Sequence, residues 1–259
     1  MAIKKIKAGN TEYDIAAKYD DNEQEISRTY MTKHNPTGTG SFSLNRKAGT
    51  TVGDYSVAEG LDTTASGDLA HAEGEDTVAS GHASHAEGFY TIASGNYSHA
   101  EGGISEASGT YSHAEGLGRA SGTCSHAEGT STASGDYSHA EGTSTASGEY
   151  SHAEGYGTAS GEHSHAEGYD TKASSQYQHV QGKYNVEDTN DIYAHIVGNG
   201  TNSTPSNAHT LDWEGNAWFA GSVVTGGDKG VQLIYDEEED ALRFVFLSSA
   251  STPDEEPTE

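Results

Sequence analysis

The tripeptide Ala-Glu-Gly recurs through the middle of the chain with its glycine at Gly60, Gly74, Gly88, Gly102, Gly116, Gly129, Gly142, Gly155 and Gly168. A variant, His-Val-Gln-Gly, ends at Gly182. Successive spacings are 14, 14, 14, 14, 13, 13, 13, 13 and 14. A second mark, Ala-Ser-Gly, lies between these glycines eight times from Ala65 to Gly161, with Ala173-Ser174-Ser175 as a ninth. From each Ala-Ser-Gly glycine to the next Ala-Glu-Gly glycine is always seven residues, so the shortened units lose their residue in the other half. A fixed internal period constrains the fold more than local propensity does.

Each unit therefore has two short legs, each with room for one strand and a turn that glycine makes easy. Two legs per unit form one coil of a parallel β-solenoid, each leg pairing with the same leg of the next coil. A helix is excluded, because glycine at every seventh position costs about 1 kcal/mol each time in a helix interior. Strand alternation in "YSHAEG" puts Ser, Ala and Gly on an inner face and Tyr, His and Glu on the outer one. An interior of such small residues suits a narrow roll held by backbone ladders and close packing. The expected fold is all-β: about ten coils of 13–14 residues over residues 51–182, rising about 4.8 Å per coil.

Composition agrees with a rod and not with a globule. The 259 residues include 33 Gly but only 5 Phe and 2 Trp, too few large apolar side chains for a broad core. The net charge of −27 opposes binding to nucleic-acid phosphates. The charge is uneven: residues 1–50 hold 8 Lys/Arg and 6 acids, residues 51–182 hold 2 and 19, and residues 183–259 hold 3 and 15. The lone Cys124 excludes an intrachain disulfide. No apolar run after Met1 resembles a signal peptide and none approaches a membrane span, so the expectation is a chain made in the cytosol that does not insert in membranes.

The repeat resembles the head of trimeric autotransporter adhesins (the YadA-like head), in which Ser-x-Ala-x-Gly marks recur about every 14 residues. Its Ser-His-Ala-Glu-Gly form is similar to the variant in tail-fibre and appendage proteins of phages and prophages. The resemblance covers about half the chain and implies a left-handed parallel β-roll, with three rolls packed into a homotrimer. Adhesin heads carry apolar residues where this chain has His and Glu.

Nine histidines recur in register, His71, His85, His99, His113, His126, His139, His152, His165 and His179. All but the last have a glutamate two residues on: Glu73, Glu87, Glu101, Glu115, Glu128, Glu141, Glu154 and Glu167. Stacked coils set like residues ~4.8 Å apart, where two bare charges repel by ~3.5 kcal/mol at an effective dielectric of 20. Three roles remain open. The ladders are a solvated stripe that keeps the rod soluble, or a hydrogen-bonded network at a subunit seam, or metal ligands. His163 and His165, a single His-x-His with His163 in a slot usually held by Tyr, are the metal candidates. No other cofactor is expected.

The ends differ from the roll. Residues 2–19 alternate about Gly9-Asn10 as a β-hairpin, and this segment resembles the opening of many phage tail-associated proteins. With a polar linker it makes residues 1–50 an attachment module. Residues 183–247 carry the bulkiest side chains and read as a β cap, with Trp213, Trp218 and Phe219 as tip contacts and a hairpin over residues 231–246. Residues 248–259 read as a disordered acidic tail. Asn207, His209 and Asp212 resemble part of a self-cleaving chaperone segment of phage appendages, or are simply turn residues.

These features point to a structural, non-enzymatic component of a phage-like particle: a trimeric fibre bound to other virion proteins by its N-terminus and to a host cell-surface glycan or protein by its tip. The alternatives are a trimeric bacterial adhesin, or an appendage with a self-cleaving end. A glycan-degrading fibre needs paired carboxylates in a cleft, which the repeat does not offer.

Overall fold

The structure, a computed structural model, describes residues 4–8, 11–15, 40–221, 223–225, 231–236 and 241–246. It is all-β: a β-solenoid of about 11 parallel stacked coils. Among the described residues no helix is long and apolar enough to cross a membrane. Each coil contributes two strands that pair with their equivalents. His71, Ala72, Glu73 and Gly74 lie opposite His85, Ala86, Glu87 and Gly88, and Val78–Ala79 lies opposite Ile92–Ala93.

The ladder runs further than the repeat. Phe42–Arg46 pairs in parallel with the first coil, Ser43 opposite Ala58. This corrects the reading of that stretch as linker. Ser41 and Ser43 are buried and supply the same alternating small inward residues as the repeat. At the other end Tyr193–Asn199 continues the stack, His195 opposite His179 and Ile196 opposite Val180.

The core is two columns of alanine. One comes from Ala-Glu-Gly and the other from Ala-Ser-Gly, and from Ala72 to Ala173 these alanines have no exposed surface. Among the described residues only Val180 and Ile196, at the C-terminal end, are larger buried apolar core residues. The legs lie so close that even a methyl group is excluded at some positions. A Cβ on Gly81 would lie 1.9 Å from the Gly95 carbonyl oxygen in the next coil.

The serine of Ser-His-Ala-Glu-Gly is buried and hooks the adjacent turn. Ser138 Oγ donates to the Gly135 carbonyl at 2.6 Å, and Ser84, Ser98, Ser112, Ser125, Ser151 and Ser164 repeat the bond. A second buried slot, held by Thr63, Thr77, Thr91, Ser105, Ser131, Ser144 and Thr171, lines the other half of the coil. Gly-x-x-Ser is thus a turn with its own clasp.

The two bends solve one problem differently. Most backbone N–H groups donate forward, as His85 does to Ser98 in the next coil at 2.9 Å. Tyr97 donates backward, to His82 at 2.8 Å, and it takes a left-handed φ of 58° to do so. The same slot is left-handed in every coil, through Tyr55, Leu69, Ala83, Tyr111, Cys124, Tyr137, Tyr150, His163, Tyr177 and Asp191. The slot therefore lies in a turn, and the assignment of Tyr to the His and Glu strand face is corrected. The Ala-Ser-Gly glycine beside it is not left-handed and is glycine because of the close approach.

The Ala-Glu-Gly bend is where coil length varies. Glycines that open 14-residue coils, such as Gly102 at 94°, are followed two residues later by a second left-handed residue: Asp62, Asp76, Tyr90, Ile104 or Asp170. Glycines that open 13-residue coils, such as Gly116 at 71°, have no such partner. The deleted residue is the second left-handed one. These bend glycines, Gly74 among them, lie on the surface and not on the inner face that strict alternation assigned to them.

The C-terminal edge of the stack is closed by antiparallel strands Asn207–Asp212 and Ala217–Phe219, the first of which pairs with Tyr193–Asn199. Beneath the edge the buried Gln178 replaces the clasp serine. Its amide donates to Asp188 Oδ2 at 3.2 Å and to the Tyr193 carbonyl at 3.0 Å, while Asp188 accepts from the Ile192 and Tyr193 amides. Hairpins form at Lys4–Ala8 with Thr11–Ile15 and at Val231–Asp236 with Ala241–Phe246, the latter joined by Val223–Thr225. The expected tail at 248–259 and residues 20–39 of the expected linker lie outside the described residues.

Candidate functional site

The parallel register brings the nine expected histidines into one column. From His71 to His179 neighbouring rings are 4.7–4.9 Å apart and within 11° of parallel. The column continues beyond the repeat through His195 and His209 to Phe219, with tilted rings. The sequence pattern gave His195 no role and read His209 only with Asn207 and Asp212, not as part of the column. The signal for the first was there: "HIVGN" at 195–199 copies "HVQGK" at 179–183.

The column is half-buried. Burial, and after it the neighbouring imidazoles, hold His99, His126, His139, His165 and His195 below the ordinary histidine range. The glutamates form a parallel column beside the rings, and neighbouring carboxyls shift one another's ionisation. Glu87 is raised by a hydrogen bond with Glu101 and Glu128 by one with Glu115, while Glu101 is lowered by accepting from Glu87.

Glutamate and histidine meet across coils, and coil length decides where. In 14-residue coils His Nε2 lies 3.3–3.6 Å from a glutamate of the preceding coil, at His71–Glu59, His85–Glu73, His99–Glu87, His113–Glu101 and His179–Glu167. His126, His139, His152 and His165, which follow the shortened bends, make no such contact within 4.0 Å. At the changeover Glu101, Glu115 and Glu128 line an open groove of about 450 Å³.

His163 and His165, the metal candidates, belong to different columns. His163 stacks between Tyr150 and Tyr177 at 4.7 and 4.9 Å, and its Nε2 faces Glu162 at 3.5 Å. His165 stacks between His152 and His179. His165 shares a potential ligand cluster with Glu167 and His179. The two-residue spacing spans a turn and a strand, so it does not aim both rings at one point.

At the cap Trp213, Trp218 and Phe219 are half-exposed. Trp218 lines an open cleft of about 700 Å³ with Val186, Tyr193, Asn207 and Asp212. Asn207, His209 and Asp212 have separate partners. Asn207 Oδ1 accepts from the Val186 amide at 2.9 Å, His209 lies between His195 and Phe219, and Asp212 accepts from the Asn216 backbone and side chain at 2.7 and 2.8 Å. The hydrogen bonds lower the Asp212 pKa. All three serve the strands and turn they sit in.

No family model, no curated protein and no solved structure matches the chain.

Proposed function

We propose that the chain is a structural and binding protein, the rod and tip of a homotrimeric fibre or appendage of a phage-like particle that contacts a host cell surface. One observation carries this reading: the side chains are distributed inside out. The solenoid core is almost wholly alanine with serine and threonine, while 21 large apolar side chains are exposed among the described residues. Leu61, Phe89, Leu117, Tyr156 and Tyr169 each follow a bend glycine on the surface. Exposed apolar stripes on this scale are surfaces awaiting a partner, and a rod that buries so little by itself gains most from self-association. Three parallel rods also present three tips, so weak contacts at Trp213 and Trp218 multiply by avidity.

The test is the mass in solution by light scattering, followed by binding of the labelled protein to bacterial cells. The expected mass is three times the 27.1 kDa of one chain, with cell binding lost on Trp213→Ala with Trp218→Ala. A stable monomer overturns the fibre reading.

A further inference from the structure

We propose that the 14-residue coils bind a borderline divalent cation of the zinc, cobalt or nickel kind, with Glu101 and His113 as the paired ligands and His99 as the third. This goes beyond the fibre reading and does not depend on it.

The spacing is the first argument. A metal bonded at about 2.0–2.1 Å to two ligands in tetrahedral geometry holds them about 3.3–3.4 Å apart. Glu101 Oε1 and His113 Nε2 are 3.3 Å apart, and the equivalent pairs along the 14-residue coils are at 3.5–3.6 Å. A charge-assisted N–H···O bond is shorter, about 2.7–2.9 Å. The second argument is independent and holds for coils of both lengths, so that only the carboxylate spacing tells them apart: the Nε2 atoms of His71, His85, His99 and His179, and equally those of His126, His139, His152 and His165, are buried and have no hydrogen-bond partner. A buried ring nitrogen left unbonded is costly, and a metal ion satisfies it.

His99, Glu101 and His113 have ligand atoms within 4.8 Å of one another, as do His71, Glu73, His85 and also His165, Glu167, His179. One ion bonded to both rings needs their nitrogens within about 4.2 Å, twice a Zn–N bond. The His99 and His113 rings stack at 4.9 Å, so one ring tilts on binding and water fills the remaining position. Imidazole with carboxylate selects borderline metals over magnesium or calcium, which prefer oxygen alone. In the 13-residue coils the carboxylates beside His126 and His139 lie within 4.8 Å but beyond 4.0 Å, and the paired geometry is lost.

The experiment titrates the full chain with Co²⁺, followed by visible absorption, and with Zn²⁺ by calorimetry. Two triple variants of equal charge are compared: Glu73→Gln, Glu101→Gln, Glu167→Gln in the 14-residue coils, and Glu128→Gln, Glu141→Gln, Glu154→Gln in the 13-residue coils. The expected result is saturable binding, reversed by chelator, that the first set weakens at least tenfold and the second changes less than twofold. Equal loss in both sets, binding of Mg²⁺ as tight as Zn²⁺, or no saturable binding overturns the proposal. Should the first triple variant fail to fold, Glu101→Gln alone decides, with the loss of one bound ion expected and an unchanged stoichiometry fatal.

Discussion

Glu101 and His113 stand 3.3 Å apart, twelve residues apart in sequence and one coil apart in space. Glu115 and His126, the next pair along the rod, are eleven residues apart and do not meet within 4.0 Å. One left-handed residue in the outer bend makes the difference. The solenoid tolerates its loss because the bend lies outside both alanine columns, but the loss changes which charged side chains face each other.

Inserting Asp between Leu117 and Gly118 should therefore restore a 14-residue coil, with the new residue taking the left-handed role of Asp76. His126 would then face Glu115 and its pKa should rise from its lowered value, read by NMR titration of the ring. A His126 titration that does not move would show that coil length does not control the contact.

The two kinds of glycine predict opposite outcomes for one substitution. In Gly135→Ala the new Cβ would meet the Gly148 carbonyl oxygen at 2.0 Å, so the coils must part. The expected cost is about 3 kcal/mol or more. Gly103 has open space and no left-handed φ, so Gly103→Ala should leave the urea midpoint nearly unchanged. Equal effects would refute the close-approach account.

Ser138→Ala removes a buried hydroxyl and its 2.6 Å bond to Gly135. The loss should be about 1 kcal/mol. The chain itself bounds the effect, because Ala70 holds this slot in the second coil and the coil still forms. A denaturant series on the variant checks the size, and a loss several times larger would mean the clasp organises the whole turn.

The histidine column should make stability depend on pH. His99, His126, His139, His165 and His195 bind protons less tightly folded than unfolded, so the unfolded chain takes up more protons as pH drops below about 6.5. Stability should be level above pH 7 and fall as pH drops through 6.5 towards the lowered folded values. Facing these rings are the neighbouring imidazoles, which add to the effect, and the glutamates of their own and adjacent coils, which oppose it. Urea melts in chelator from pH 8 to pH 5 provide the check. Stability that rises on acidification would mean that the glutamates dominate.

Most of the fold was legible in the sequence. Identical residues at a 13–14 residue period stack on themselves in a parallel ladder, so the columns, the inner alanines and the antiparallel hairpins at both ends follow from spacing and alternation. Backbone pairing is a local rule repeated, and repetition makes it readable. Which glycines bend the chain was legible. Why the others are glycine was not, because close approach between coils is a property of packed neighbours.

What the tertiary structure alone decided concerns direction and contact. The Tyr slot reverses its N–H bond through a left-handed turn, which carries His163 into the tyrosine stack and away from His165. The same geometry sets Glu101 against His113 and parts Glu115 from His126. These facts depend on φ at single residues and on distances between coils. By itself the sequence determined that the chain stacks, and the folded backbone determined which side chains the stacking brings into reach.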